Sequence, residues 1–172
     1  MSNITILIAC IGNIFLGDDA FGVEVARRLS GRSLPGNVHV RDFGIRGLDL
    51  AYALLDGGYA ATIMVDAVSQ GGPPGTLYTI EPDLASESAS DQAAGVVQTH
   101  GMDPVKVLKM VRAMGGNPGR VLVVGCEPLT WGPEEGAMGL SPPVQAAVGE
   151  AVSLIESLVA RILAGEAVAR AT

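Results

Sequence analysis

Three aspartates that follow apolar runs are the residues of this sequence best suited to chemistry. Asp18 and Asp19 close a loop behind the apolar run 5–10, and Asp66 comes directly after the apolar run 61–65. In open α/β sheets, ligands bind outside the carboxyl ends of the strands. We therefore expect Asp66 and one of the paired aspartates to share a site, where carboxylates act in proton transfer or bind a metal ion.

Each of these aspartates also has a plausible structural role. Asp66 could begin the turn after its strand, because aspartate favours turns. Asp18 or Asp19 could cap the N-terminus of the helix that follows, with its side chain accepting a backbone N–H. Both cannot cap the same helix, so one carboxylate remains at the edge of the sheet that carries Asp66.

The sequence has two histidines, and their settings differ. His39 lies between valines in a predicted edge strand and is expected to be partly exposed. His100 lies in a polar loop just before a predicted helix, where it is either solvated or functional. Two carboxylates and one imidazole from three loops would form an oxygen-rich site with open positions, which suits zinc or nickel.

Other catalytic signatures are weak or missing. Cys10 and Cys126 each end a predicted buried strand and are interpreted as inert core thiols. The sequence contains no G-x-S-x-G elbow, no Walker A pattern and no G-x-G-x-x-G fingerprint. We therefore expect no organic cofactor and no serine triad.

Alternating strand and helix patterns predict an α/β fold, a three-layer α/β/α sandwich. The connection from Asp66 to Gly75 is too short for a parallel crossover, so the fourth strand is predicted to run antiparallel in a mixed five-stranded sheet. The predicted strands cover 5–10, 38–43, 61–65, 76–80 and 120–124, and the predicted helices cover 18–30, 48–55, 102–114 and 141–165.

Composition limits the classes of partner. The 172 residues are 48% hydrophobic and carry a net charge of −7, so the chain can bury a core but has no basic cluster for nucleic acid or anionic membranes. Two cysteines and no recognisable targeting segment indicate a cytoplasmic protein. We expect one domain over residues 1–166 and a frayed tail over 167–172.

Several motifs, in order, resemble those of the nickel–iron hydrogenase maturation endopeptidases. The segment Gly12–Gly22 is similar to the opening motif of that family, with Gly-Asn followed by an acidic pair and a glycine. The other matching segments are 42–47, 65–67, 99–103 and 125–128. The second of these resembles the Asp-Gly-Gly-Thr-x-Gly loop of the family but has Phe43 and Ile45 in place of Gly and Thr.

The resemblance implies a function and a set of site residues. It implies a phosphorylase/hydrolase-like fold with Asp19 and Asp66 as the catalytic carboxylates, although some members have Glu at the position of Asp19. Asp19, Asp66 and His100 are implied as the metal contacts, and Asp42, Gly44 and Gly47 as substrate-recognition residues. The implied reaction removes the C-terminal extension of the hydrogenase large-subunit precursor after nickel insertion. The nickel would come from the substrate, and the protein is expected to act as a monomer.

Two rival functions remain open at the level of the sequence. A nickel-handling chaperone would bind the same precursor without cutting it. A metal-independent binding module of flavodoxin-like shape would use the same sheet, although the sequence lacks a phosphate-binding loop. The protease is the preferred hypothesis, with Asp19, Asp66 and His100 sensing the nickel of the substrate.

Overall fold

One mixed sheet of five strands organises the residues that the computed structural model describes, 3–83 and 103–166. The strands lie in the order β2-β1-β3-β5-β4. All neighbouring pairs are parallel except β4 and β5, which are antiparallel. The antiparallel fourth strand is confirmed. The strands are β1 (Ile6–Ile11), β2 (Val38–Gly44), β3 (Ala61–Ala67), β4 (Leu77–Ile80) and β5 (Arg120–Cys126).

Helices cover both faces of this sheet. The described helices are a 3₁₀ turn (Gly17–Ala20), α1 (Phe21–Ser30), α2 (Gly47–Asp56), α3 (Pro104–Ala113) and α4 (Pro142–Leu163). α1 and α4 pack on one face through a cluster that includes Phe21, Val25 and Ile155. α2 and α3 pack on the other face through a second cluster that includes Leu50 and Leu108. The predicted α/β/α sandwich is confirmed.

Burial across the sheet explains the sequence patterns of its strands. Every residue of β1 and β3 is buried, as the continuous apolar runs of these central strands predict. β2 is an edge strand, and His39 on it is exposed, with its ring edge-on to Tyr59 at 5.9 Å between centroids. The prediction for His39 is confirmed.

The boundaries of the later helices follow local chemistry. α3 begins at Pro104, two residues after its predicted start, because Asp103 is the cap and its side chain accepts the Val105 N–H at 2.9 Å. α4 begins at Pro142 and ends at Leu163. None of the helices in the described parts of the chain is long and apolar enough to cross a bilayer.

A crevice between β1 and β3 follows from the path of the chain. After β1 the chain forms β2 on one side of β1, and it then forms β3 on the other side. Gly22, in the first turn of α1, lies over this divergence. A Cβ there would stand 2.1 Å from the Ile11 carbonyl oxygen and 2.5 Å from that of Val65. Only glycine lets α1 start this close to the carboxyl ends of β1 and β3.

Candidate active site

Asp66 is a buried carboxyl at the carboxyl end of β3, with 3% of its surface exposed. Its Oδ1 accepts the N–H of Ala67 at 2.9 Å. Burial raises the pKa of Asp66 well above its usual range, and the Asp19 carboxylate raises this pKa further, against the opposing effect of the Ala67 N–H. Asp103 adds a smaller upward effect. Asp66 therefore favours the protonated form well beyond the usual pH range of an aspartate.

Asp19 reaches the same edge from the 3₁₀ turn after β1. Its Oδ2 accepts the Asn13 N–H at 3.1 Å, and 7% of its surface is exposed. Asn13 in turn uses its side-chain oxygen to accept the Phe15 N–H at 2.9 Å, which folds the loop back toward the helix. The effect of Asp19 on the pKa of Asp66 shows that the two predicted catalytic carboxyls are brought together.

The predicted capping role of Asp18 or Asp19 is wrong. Neither the 3₁₀ turn nor α1 has a side-chain cap, and α1 starts at Phe21 behind Ala20. Asp18 is fully buried, and its carboxylate accepts hydrogen bonds from Leu129, Thr130 and Ser141 instead. Ser141 stands at the N-cap position of α4, but its hydroxyl donates to Asp18 and makes no cap hydrogen bond. Contacts remote in sequence outcompete local capping here.

The predicted metal ligands can be compared with the structure only in part. His100 lies outside the described residues, so its place in the site stays a prediction. Within residues 3–83 and 103–166, no three His, Cys, Asp or Glu side chains form a group that could hold a metal ion. The charges of Asp19 and Asp103, which both raise the pKa of Asp66, still make this edge of the sheet a setting that suits a cation supplied from outside.

The predicted recognition loop is tightly held in the structure. Asp42 Oδ1 accepts the Gly44 N–H at 2.8 Å. The Arg46 guanidinium donates to the carbonyl oxygens of Asp42 and Phe43, at 2.7 and 3.2 Å. Phe43 is buried in the core beside α2. Packing in this core explains why the chain has a large apolar side chain where the family loop has glycine. Asp42, Gly44 and Gly47 thus lie in an ordered turn at the carboxyl end of β2, and their recognition role stays a prediction.

Glu127 is a buried carboxylate whose role the sequence did not suggest. It accepts hydrogen bonds from the Gln70 N–H at 2.7 Å and the Tyr78 hydroxyl at 2.8 Å, and from Ser69 and Gly71 at 3.3 Å each. These donors lie 49 to 58 residues away in sequence. Glu127 therefore fixes the loop that follows Asp66 and β3.

The two cysteines are buried free thiols at the carboxyl ends of β1 and β5. Burial raises the pKa of Cys126 to about 12 and raises that of Cys10 well above its usual range. A thiol that resists ionisation is a poor nucleophile. The interpretation of both as inert core residues is confirmed.

The model of one protein family, described as hydrogenase maturation protease, matches residues 23–158. This match covers most of the sheet and all of the described α helices except the first residues of α1 and the end of α4. The chain belongs to the hydrogenase maturation protease family. The resemblance carried by the sequence motifs is confirmed.

Relatives and solved structures of the family agree with this assignment. The chain is 32% identical to a putative hydrogenase maturation protease of Methanocaldococcus jannaschii, over 87% of this chain and 93% of the relative. It is 34% identical to the hydrogenase expression/formation protein HupD of Rhodobacter capsulatus, over 72% of this chain and 57% of that longer protein. The hydrogenase maturating endopeptidase HybD of Escherichia coli superimposes with a TM-score of 0.71 at 27% identity, with 94% of each chain covered.

Membership of the maturation protease family favours proteolysis over the two rival functions. The matched family is one of proteases, so a nickel chaperone that does not cut is not favoured.

Proposed function

We propose that this protein is an endopeptidase that removes the C-terminal extension of a nickel–iron hydrogenase large-subunit precursor after nickel has been inserted. The observation that carries the proposal is the buried Asp66 carboxyl, whose pKa is raised by burial and by the neighbouring Asp19, in a chain of the maturation protease family. Family membership supports the reaction, and the carboxyl pair supports an aspartic-type mechanism.

The carboxyl pair supplies the proton transfers that peptide hydrolysis needs. In one step, the Asp19 carboxylate accepts a proton from a water molecule whose oxygen attacks the scissile carbonyl carbon. In the next, the protonated Asp66 donates its proton to the leaving amide nitrogen, and the C–N bond breaks. The raised pKa of Asp66 suits the role of proton donor, because it keeps that carboxyl protonated at a pH where an ordinary aspartate is ionised.

Nickel enters this proposal as part of the substrate. Asp19, Asp66 and His100 would contact the nickel already seated in the precursor, and the protein would recognise in this way a precursor that is ready for cutting. The negative charge of the Asp19 carboxylate beside Asp66 attracts a nearby cation, which is the physical reason for a preference for the nickel-loaded form. Three ligands of this kind bind a free divalent ion weakly, so the substrate must add ligands of its own.

The loops around the carboxyl pair suit a protein substrate. Exposed apolar side chains project from the loops after β1, β2 and β5 and from the first turn of α2, at the same edge of the sheet that carries Asp19 and Asp66. They are Ile14, Phe15, Ile45, Leu48, Leu129 and Met138. A cavity of about 150 Å³ between Ile14 and Met138 adds room for a side chain. We infer that the precursor contacts these loops while its C-terminus reaches the carboxyls.

The cellular setting belongs to the same proposal. Both cysteines are free and neither has a disulfide partner in the described residues, which supports a reducing cytoplasm. We propose a protein that acts there as a monomer, without an organic cofactor, on a precursor made in the same compartment.

A cleavage assay on two forms of the precursor tests the proposal. The purified protein is incubated with nickel-loaded and with metal-free large-subunit precursor, and mass spectrometry follows the release of the C-terminal peptide. We expect release from the loaded form alone. Asp66→Asn and Asp19→Asn should each reduce the rate at least ~100-fold, whereas Asp56→Asn, at an exposed position on α2, should match the wild type.

The same assay separates the protease from a chaperone. A chaperone would bind the loaded precursor and leave its mass unchanged. Binding without any loss of the C-terminal peptide, at a precursor concentration that saturates the protein, would overturn the proposed function.

A further inference from the structure

Asp18 is a buried carboxylate next to the candidate site that accepts four hydrogen bonds, and neither the proposed mechanism nor helix capping uses it. None of its surface is exposed. Its Oδ1 accepts the Ser141 N–H at 2.7 Å, and its Oδ2 accepts the Leu129 N–H at 2.8 Å, the Thr130 N–H at 3.1 Å and the Ser141 hydroxyl at 2.8 Å. These donors lie 111 to 123 residues later in the chain.

These bonds join two segments that flank the crevice. One is the loop between β1 and α1, which carries Asp19. The other is the connection between β5 and α4, residues 127–141, which reaches the same edge from the far side of β3. The Asp18 side chain accepts hydrogen bonds from both the start of that connection, at Leu129 and Thr130, and its end, at Ser141.

The backbone strengthens the same junction. The Asp18 N–H donates to the Thr130 carbonyl at 3.1 Å, and the Gly17 N–H donates to the Ala137 carbonyl at 3.0 Å. Gly17 has a left-handed φ of +56°, and a Cβ there would stand 3.0 Å from the Gly132 nitrogen. Such close packing leaves the 3₁₀ turn little freedom to slide along the connection.

Asp19 therefore has two fixed neighbours. On one side its own carboxylate accepts the Asn13 N–H at the end of β1. On the other side the adjacent Asp18 is bound to the connection after β5. Since Asp66 is fixed in the sheet, the separation of Asp19 from Asp66 depends on where Asp18 holds the turn.

We propose that Asp18 is a positioning residue for the proteolytic reaction, which sets the placement of Asp19 relative to Asp66 through its bonds to Leu129, Thr130 and Ser141. This inference rests on the proposed function for its kinetic consequence, and its structural consequence can be measured without any substrate. A displacement of a reacting group by about 1 Å can cost about 100-fold in rate.

The kinetic test uses Asp18→Asn, which keeps one acceptor oxygen and removes the charge. We expect kcat on the nickel-loaded precursor to fall at least 10-fold and KM to rise by a smaller factor, because Asp18 holds the backbone of only one of the apolar loops that contact the precursor. Asp18→Ala should lose more, about 100-fold. Ser141→Ala removes only the hydroxyl donor and should lose less than Asp18→Asn.

A destabilised variant provides the matched control. Leu29→Ala removes a buried side chain at the far end of α1, and such truncations cost about 2–5 kcal/mol. All variants are assayed at a temperature where thermal unfolding shows them fully folded. Leu29→Ala should then keep the wild-type kcat. An equal kcat for Asp18→Asn, Leu29→Ala and the wild type would overturn the proposal.

A second readout does not depend on activity. The Asn13 amide donates to Asp19, so its NMR resonance reports the position of that carboxylate. In Asp18→Asn we expect this resonance to move and its exchange with solvent to quicken, with no such change in Leu29→Ala. An unmoved Asn13 amide in a folded Asp18→Asn variant would overturn the positioning role. If the wild type fails to cut the precursor but the Asn13 amide moves, the proposed function fails and the structural role of Asp18 stands.

Discussion

At the scale of single residues, the position of Asp66 works against the stability of the fold. Its pKa is raised in the folded protein, chiefly by burial and then by Asp19. Below pH ~3.9, the ordinary value for aspartate, the carboxyl is protonated in both the folded and the unfolded chain. Above that pH the unfolded chain loses the proton first, so the free energy of unfolding falls as the pH rises toward the folded pKa.

Asp66→Asn should therefore stabilise the protein at neutral pH while it abolishes cleavage. We expect Tm to rise at pH 7.5 and to change little at pH 4, because at pH 7.5 only the unfolded wild-type chain gains stability from ionising this carboxyl. Thermal unfolding by circular dichroism at the two pH values measures this. The exposed Asp56→Asn is the control. A lower Tm for Asp66→Asn at pH 7.5 would contradict the account of its burial.

The two histidines should respond oppositely to substitution. His100→Ala is expected to reduce precursor cleavage at least ~10-fold, because the resemblance places this imidazole among the contacts to the nickel of the substrate. His39→Ala should be nearly silent, since His39 is exposed on the edge strand β2 and meets only the ring of Tyr59 among the aromatic side chains described. Rates of peptide release for both variants test this contrast, and equal losses would refute it.

At the scale of elements, the crevice depends on the close approach of α1 to the ends of β1 and β3. Helix propensity alone predicts that Gly22→Ala stabilises α1 by about 1 kcal/mol. The structure predicts the opposite, because the new Cβ would meet two backbone carbonyl oxygens at 2.1 and 2.5 Å, and backbone cannot move aside cheaply.

We expect Gly22→Ala to lower the free energy of unfolding by about 2 kcal/mol or more and to reduce cleavage, because α1 and the Asp19 turn shift together. Gly31→Ala at the other end of α1 is the matched control. A Cβ at Gly31 has only one neighbour, the Arg28 carbonyl oxygen at 3.6 Å. Urea unfolding of both variants decides the point, and a Gly22→Ala protein as stable as Gly31→Ala would show that the gap between the strands tolerates a methyl group.

At the scale of the whole molecule, the open question concerns which protein holds the metal ion. The described residues offer a carboxyl pair without a third ligand, and the third predicted ligand is His100. We expect the purified protein to contain less than one equivalent of tightly bound metal and to keep its activity toward nickel-loaded precursor after treatment with a chelator.

Elemental analysis and a cleavage assay after extensive dialysis measure these two properties. The physical reason for the expectation is ligand supply, since two carboxylates and one imidazole leave a divalent ion with open positions that the substrate must fill. A resident metal would instead survive dialysis, and its removal would stop the reaction. One equivalent of retained metal, together with efficient cutting of nickel-free precursor, would contradict the sensor role of Asp19, Asp66 and His100.

The sequence by itself determined the layers of the fold and the edge of the sheet at which the candidate site lies. Continuous apolar runs required β1 and β3 to be buried on both faces, and the short connection after Asp66 required β4 to be antiparallel. These conclusions follow from local pattern and chain length. They predict that Asp19 and Asp66 lie at the same edge of the sheet.

Only the tertiary structure decided what the remaining carboxylates do. Asp18 has the residue type and position of a helix cap, yet it binds Ser141, 123 residues away. Glu127 lies in a motif without an evident role, yet it accepts hydrogen bonds from the Ser69 and Tyr78 hydroxyls and from the Gln70 and Gly71 N–H groups. Local patterns cannot reveal such partners, because segments distant in sequence meet only when the sheet has assembled. A buried carboxylate then pairs with the donors that the fold brings next to it. Leaving the carboxylate or its donors buried without a hydrogen bond would cost more free energy than the loss of a helix cap.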